Sequence, residues 1–154
     1  MSELVGFALL ILSPTRELAL QTHQVVEQLL SHIDEHNLRV TTCIGGVSKL
    51  DDNLAEIGDK KPNVVIATPG RLDDLIRRSP LVQAQMKKLE VLIIDEADQM
   101  LDIGFEKAIN FILSHCPKQR RTGLFSATLN DSVLRLKKVL FRVLSLLKGP
   151  TIRI

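Results

Sequence analysis

A chain of 154 residues with 45% hydrophobic and 25% charged residues has the make-up of one globular domain, large enough to bury a core unaided. Aromatic residues are only 3%, with no Trp and no Tyr, so that core must be built from Leu, Ile and Val. A net charge of +2 and a pI near 8.6 allow a nucleic-acid partner without arguing for one, and the longest apolar run, Phe7 to Leu12, is too short to cross a membrane.

Along the chain, short apolar runs alternate with amphipathic stretches, the pattern of a parallel-sheet α/β domain. FALLIL (Phe7 to Leu12) reads as a buried strand ending at Ser13-Pro14, and the helix after it carries Leu18, Val25, Val26, Leu29 and Leu30 on one face. LRVTTCI (Leu38 to Ile44) is the second strand, stopped by Gly45-Gly46, and a charged helix runs from about Lys49 to Ile57. VVIAT (Val64 to Thr68) is the third strand and Arg71 to Arg78 a short helix. LEVLIID (Leu89 to Asp95) is the fourth strand, and Gly104 to His115 is helical with Ile109, Ile112 and Leu113 inward. TGLFSA (Thr122 to Ala127) is the fifth strand, and Asn130 caps a helix running to about Leu147. Gly149-Pro150 ends that helix, and TIRI is a candidate sixth strand. Repeats, linkers and low-complexity segments are absent, which predicts one domain.

Cys43 and Cys116 lie far apart in apolar stretches with no CxxC or Cys/His spacing, and read as two reduced thiols of an intracellular protein. His23, His32, His36 and His115 have no metal spacing with each other or with the cysteines. The opening MSELVGF carries neither a basic segment nor a long apolar one, which argues against a secretory signal. Basic pairs such as Lys60-Lys61, Arg77-Arg78 and Lys137-Lys138 read as solvated charges.

The chemistry concentrates where the fourth strand ends, in Asp95-Glu96-Ala97-Asp98. In open parallel sheets ligands bind beyond the carboxyl ends of strands, so acids there face a site. An Asp closing an apolar strand and followed by Glu can hold Mg2+ through water and polarise an attacking water. Acids also end strands simply because the chain re-enters solvent, and this strand alone leaves both readings open. Thirty residues on, the next strand ends Ser126-Ala127-Thr128, whose hydroxyls can bond the Asp98 carboxylate and tie the two strand ends together.

Taken together these segments resemble the DEAD-box RNA helicases, in that family's order over nearly the whole chain. PTRELA (Pro14 to Ala19) is similar to motif Ia and Gly45-Gly46 to the GG element; TPGRL (Thr68 to Leu72) is similar to motif Ib, DEAD (Asp95 to Asp98) to motif II, and SAT (Ser126 to Thr128) to motif III. The resemblance implies an α/β, RecA-like fold of the P-loop NTPase type, a mostly parallel sheet with flanking helices. It implies RNA-dependent ATP hydrolysis, with ATP and Mg2+ as cofactors and RNA as partner. Asp95 and Glu96 would serve Mg2+ and the attacking water, while Asp98, Ser126 and Thr128 would couple hydrolysis to the grip on RNA. Thr15, Arg16, Gly45, Gly46, Thr68, Gly70 and Arg71 would line an RNA face that contacts phosphates without reading bases, so binding should weaken with salt. The stretch PKQRRTGLFSAT resembles helicases of ribosome assembly, which implies a nuclear, nucleolar setting.

The sequence departs from the family in containing no GxxxxGK(S/T), the loop that cradles ATP phosphates and that the family places upstream of PTRELA. The expectation is therefore a partial first RecA-like domain over residues 1–154, missing the phosphate-loop strand and without the second RecA-like domain that normally follows in cis. Loss of a central strand would leave unpaired edges and exposed apolar faces, and the chain alone should turn over little ATP. Gln99 stands where the family usually has a basic residue. Two alternatives remain: an ATPase-deficient RNA- or partner-binding module, and a flavodoxin-like domain whose strand-end acids bind another ligand.

Overall fold

The computed structural model describes residues 6–32 and 38–141. Among them five strands form one sheet: β1 (Leu9–Leu12), β2 (Val40–Cys43), β3 (Val64–Ala67), β4 (Val91–Ile94) and β5 (Arg121–Leu124). Their order is β2-β3-β1-β4-β5 and every pairing is parallel, with Leu9 opposite both Val64 and Val91. All five carboxyl ends therefore share one edge. The fold class expected from the sequence is the one found.

Among the described residues six helices connect the strands, α1 (Arg16–Leu30), α2 (Leu50–Lys60), α3 (Pro69–Arg78), α4 (Pro80–Met86), α5 (Ala97–Ile103) and α6 (Glu106–His115), and α7 (Asp131–Phe141) follows β5. Right-handed crossovers dictate their placement. The chain steps from β1 to β2 in one direction and from β2 onward in the other, so α1 lies on the opposite face from α2 to α6. The core clusters bear this out. Leu10, Leu12, Val65, Ala67, Leu92 and Ile94 pack with Ile57, Leu72, Leu75, Met86, Met100, Ile109, Ile112 and Leu136 from the helices on the larger face. The alternate strand residues Ile11 and Ile66 pack with Ala19 of α1 and Ile44 on the smaller one.

Local chemistry sets the helix ends. The Thr15 hydroxyl accepts the Leu18 amide at 3.2 Å, the Ser79 hydroxyl the Val82 amide at 3.3 Å, and Asn130 Oδ1 the Val133 amide at 2.9 Å, as expected of Asn130. At the end of α5, Gly104 adopts φ +98 and the Phe105 amide bonds the Met100 carbonyl at 3.0 Å, a left-handed stop that a side chain would strain. Arg77 on α3 lies 3.8 Å over the Phe111 ring of α6, bracing the two helices.

Several expectations need correction. The fifth strand stops at Leu124 rather than Ala127, and Thr68 lies outside β3 as the N-cap of α3. Two short helices, α4 and α5, were not anticipated. Ser79-Pro80 was a legible start for α4, and Gly104 a legible stop for α5. Loss of a central strand is not visible as a gap, because the five strands are contiguous. Among the described residues nothing pairs with the outer edge of β5, and the smaller face beside it is thinly covered. There Ile93 is only partly buried, Phe125 is 42% exposed and Leu129 70%. Helix α1 forms as expected, yet of its apolar face Val25 is 55% and Leu29 61% exposed, so that face is not fully covered. The predicted helix end near Leu147, the Gly149-Pro150 stop, the TIRI strand and His36 lie outside the described residues. No helix among the described residues is long and apolar enough to cross a membrane.

Candidate RNA- and nucleotide-facing site

Two groups of side chains stand on the shared edge, one on either side of the β1–β4 junction. The first is built on the ends of β1, β2 and β3. It is a basin of about 610 Å3 whose lining includes Thr15, Arg16, Gly45, Thr68, Gly70 and Arg71, six of the seven residues expected on an RNA face. The seventh, Gly46, adopts φ +77 and lies against the Arg16 guanidinium, so a Cβ there would fall 2.6 Å from Arg16 Cζ. Thr68 does not cap α3 with its side chain; its hydroxyl accepts the Gly45 amide at 3.4 Å and draws two strand ends together. Arg71 Nη1 donates to the Ser48 carbonyl at 2.9 Å and to Asn53 Oδ1 at 2.6 Å. Arg16 makes no hydrogen bond or ion pair with any other described residue, so its donors are available to a ligand.

Sequence reasoning missed four neighbours. Glu17, Asp74 and Phe105 also line the basin, and the buried Asn53 anchors Arg71. The two carboxylates limit how positive the basin is and set an anionic rim against its arginines. Phe105 sits 3.7 Å from where a Cβ on Gly70 would be.

The second group is built on the ends of β4 and β5. The Asp95 amide bonds the Leu12 carbonyl at 3.0 Å and the Ala97 amide bonds the Phe125 carbonyl at 2.9 Å, so the acidic segment is pinned to both neighbouring strands. Thr128 donates to Asp98 Oδ2 through its hydroxyl at 2.9 Å and its amide at 3.0 Å, the expected tie between the two strand ends. Ser126 has further contacts besides the expected approach to the carboxylate, whose pKa its side chain helps to lower. Its hydroxyl accepts the Asp98 amide at 3.3 Å and donates to the Thr128 carbonyl at 2.8 Å, which shapes the loop around the carboxylate. Desolvation pushes the Asp98 carboxyl up, but hydrogen bonds led by that of the Thr128 hydroxyl outweigh it and hold the carboxyl below the usual aspartate range. Glu96 adopts φ +47, ψ 54 at the start of α5, a left-handed conformation that costs a non-glycine residue about 1 kcal/mol.

Mg2+ keeps several waters and takes one or two carboxylates plus substrate phosphates, rather than a cage of protein ligands. The acids here fit that habit. Among the described residues no three His, Cys, Asp or Glu side chains cluster as metal ligands, while Asp95 spends one carboxylate oxygen on the Glu96 amide at 3.0 Å and leaves the other unpaired. Both cysteines are free and buried, and burial pushes their thiols up, Cys43 to about 12 and Cys116 to about 11, away from the thiolate form that reacts.

The family model of the DEAD/DEAH box helicase matches residues 2–136. The chain belongs to that family. It is 44% identical over 139 residues to the ATP-dependent rRNA helicase spb4 of Schizosaccharomyces pombe, covering 87% of this chain and 22% of that protein. It is 47% identical over 123 residues to the ATP-dependent RNA helicase DDX55 of Xenopus laevis, covering 77% of this chain and 20% of that one. Among solved structures, a DEAD box protein from the hyperthermophile Methanococcus jannaschii superposes with a TM-score of 0.75 at 37% identity, over 89% of this chain and 35% of the other. DEAD-box membership makes the sheet described above RecA-like. The chain thus spans about a fifth of the length of the curated relatives it matches.

Proposed function

We propose that this chain is part of the first RecA-like domain of an ATP-dependent RNA helicase, which couples ATP hydrolysis to the unwinding or remodelling of RNA. The observation that carries the reading is the position of the DEAD segment. It is hydrogen-bonded on one side to the strand that leads into the arginine basin and on the other to Phe125 and the Ser126-Ala127-Thr128 loop. A change at the carboxylates thus has a short mechanical route to the basin.

In this reading Arg16 and Arg71 neutralise RNA phosphates, and Thr15, Thr68 and the glycine backbones at 45, 46 and 70 supply hydrogen bonds or close approach without base readout. Asp95 would hold Mg2+, mostly through water, and Glu96 would orient the attacking water; bound Mg2+ supplies charge neutralisation at the phosphates of ATP. Asp98, held by Thr128 and framed by Ser126, couples the two strand ends. A phosphate-cradling loop and a second RecA-like domain complete the enzyme, residues 1–154 being one partial domain. The rRNA helicases among the relatives support an rRNA substrate and a nucleolar setting.

The test is RNA binding and RNA-stimulated ATP hydrolysis by the 154-residue chain, with Glu96→Gln as control. Salt-sensitive, sequence-independent RNA binding is expected, with no turnover above the control. No RNA binding at low salt would sink the RNA face. RNA-dependent turnover lost in Glu96→Gln would show that some other segment of this chain cradles ATP.

A further inference from the structure

Arg71 uses only one of its three guanidinium nitrogens on the protein. Nη1 donates to Asn53 Oδ1 at 2.6 Å and to the Ser48 carbonyl at 2.9 Å, which accounts for both of its hydrogens. Nε and Nη2 bond no other described residue, and they form the planar edge with which an arginine grips two oxygens of one phosphate. Asn53 is 2% exposed and bonded at both ends: its Nδ2 donates to the Thr42 carbonyl of β2 at 3.2 Å while its oxygen holds Arg71. A buried amide satisfied at both ends is a stiff strut, here running from the sheet to the arginine.

We propose that Asn53 is a positioning residue, which fixes Arg71 with its Nε/Nη2 edge presented to a phosphate in the basin. Its neutrality matters as much as its reach. A carboxylate at the same place would accept from the guanidinium but could not donate to the Thr42 carbonyl and would spend the arginine's charge, whereas an amide keeps the anchor and leaves that charge for the ligand. This inference rests on the reading of the basin as an RNA site.

A double-mutant cycle on the full chain tests it, reading the affinity for a short labelled oligouridine by fluorescence anisotropy across a salt series. Asn53→Leu should weaken binding about ten-fold in the otherwise unsubstituted chain, the loss expected when a charged hydrogen-bonding pair is misplaced. In an Arg71→Ala background the same change should move affinity by less than about two-fold, because nothing remains to position. Asn53→Asp should mimic Arg71→Ala, with the slope of log Kd against log salt smaller by about 0.7. It also keeps the polar contact to Arg71 and serves if the Leu variant does not fold. Equal losses in both backgrounds would mean a general packing role and overturn the proposal while the RNA reading stands. An Arg71→Ala variant that binds RNA as well as the parent would overturn the RNA role of this arginine, and the proposal with it.

Discussion

The guanidinium of Arg16 occupies the space that a side chain on Gly46 would need: a Cβ built at Gly46 would lie 2.6 Å from Cζ and Nη1 and 2.7 Å from Nη2. Gly45, one residue earlier, has nothing within 4 Å of the equivalent point. The doublet is thus two different glycines. Gly46→Ala should lose about 1 kcal/mol of stability, because φ +77 strains any L-residue, and should also push Arg16 out of place and weaken RNA binding. Gly45→Ala should melt close to the parent. Urea melts of the two variants side by side check the contrast, and equal losses would contradict it.

Thr128→Val keeps the shape of Thr128 but removes the hydroxyl that donates to Asp98 Oδ2 at 2.9 Å. The Asp98 carboxyl, held below the usual aspartate range in the folded chain, should titrate closer to that range in the variant. A lowered folded value stabilises above the unfolded pKa, and that contribution disappears as pH falls through the folded value. The parent should therefore lose stability more steeply than the variant on the acid side of the usual aspartate range. Carboxyl-carbon NMR titration of Asp98 reads the shift directly, and an unchanged value in Thr128→Val would refute it.

Lys61 closes α2 in a left-handed conformation, φ 45 and ψ 61. Arg39 bonds its carbonyl oxygen from Nε at 3.2 Å and from Nη2 at 3.1 Å, contacts that involve only the Lys61 backbone. Lys61→Gly should raise stability by about 1 kcal/mol while preserving them, and Lys61→Ala should not. Thermal melts that rank the two variants the other way would show that the lysine side chain contributes more than its backbone costs.

Just after β5 the chain exposes Phe125 and Leu129, and among the described residues the outer edge of β5 has no partner strand. Such an edge templates association. Leu129→Lys, at a position 70% exposed, should reduce concentration-dependent light scattering without altering the circular dichroism spectrum. Unchanged scattering would place the sticky surface elsewhere, with the exposed Val25 and Leu29 of α1 the next to substitute.

The strands and most helices were legible because their apolar runs are long and their stops are Gly, Pro or a capping Thr, Ser or Asn. The site was legible because its residues lie in short contiguous motifs at strand ends, which a parallel sheet gathers on one edge. Helices α4 and α5 were missed because each spans only 7 residues, less than the window in which helical periodicity declares itself. Asn53, Glu17 and Asp74 were missed for another reason. Each is a polar residue inside a helical segment, where such a residue reads as solvated, and only the folded arrangement brings it beside the arginines.

The lopsided helix layers have a kinetic consequence. With α1 over one side of the smaller face and no strand among the described residues on the outer flank of β5, amide protection should fall across the sheet from β3 and β1 toward β5. The arginine basin then stands on the slow-exchanging part of the molecule and the Asp98–Thr128 clasp on the fast-exchanging part. Local opening can release the clasp while the basin keeps its shape, so the two halves of this edge need not come apart together.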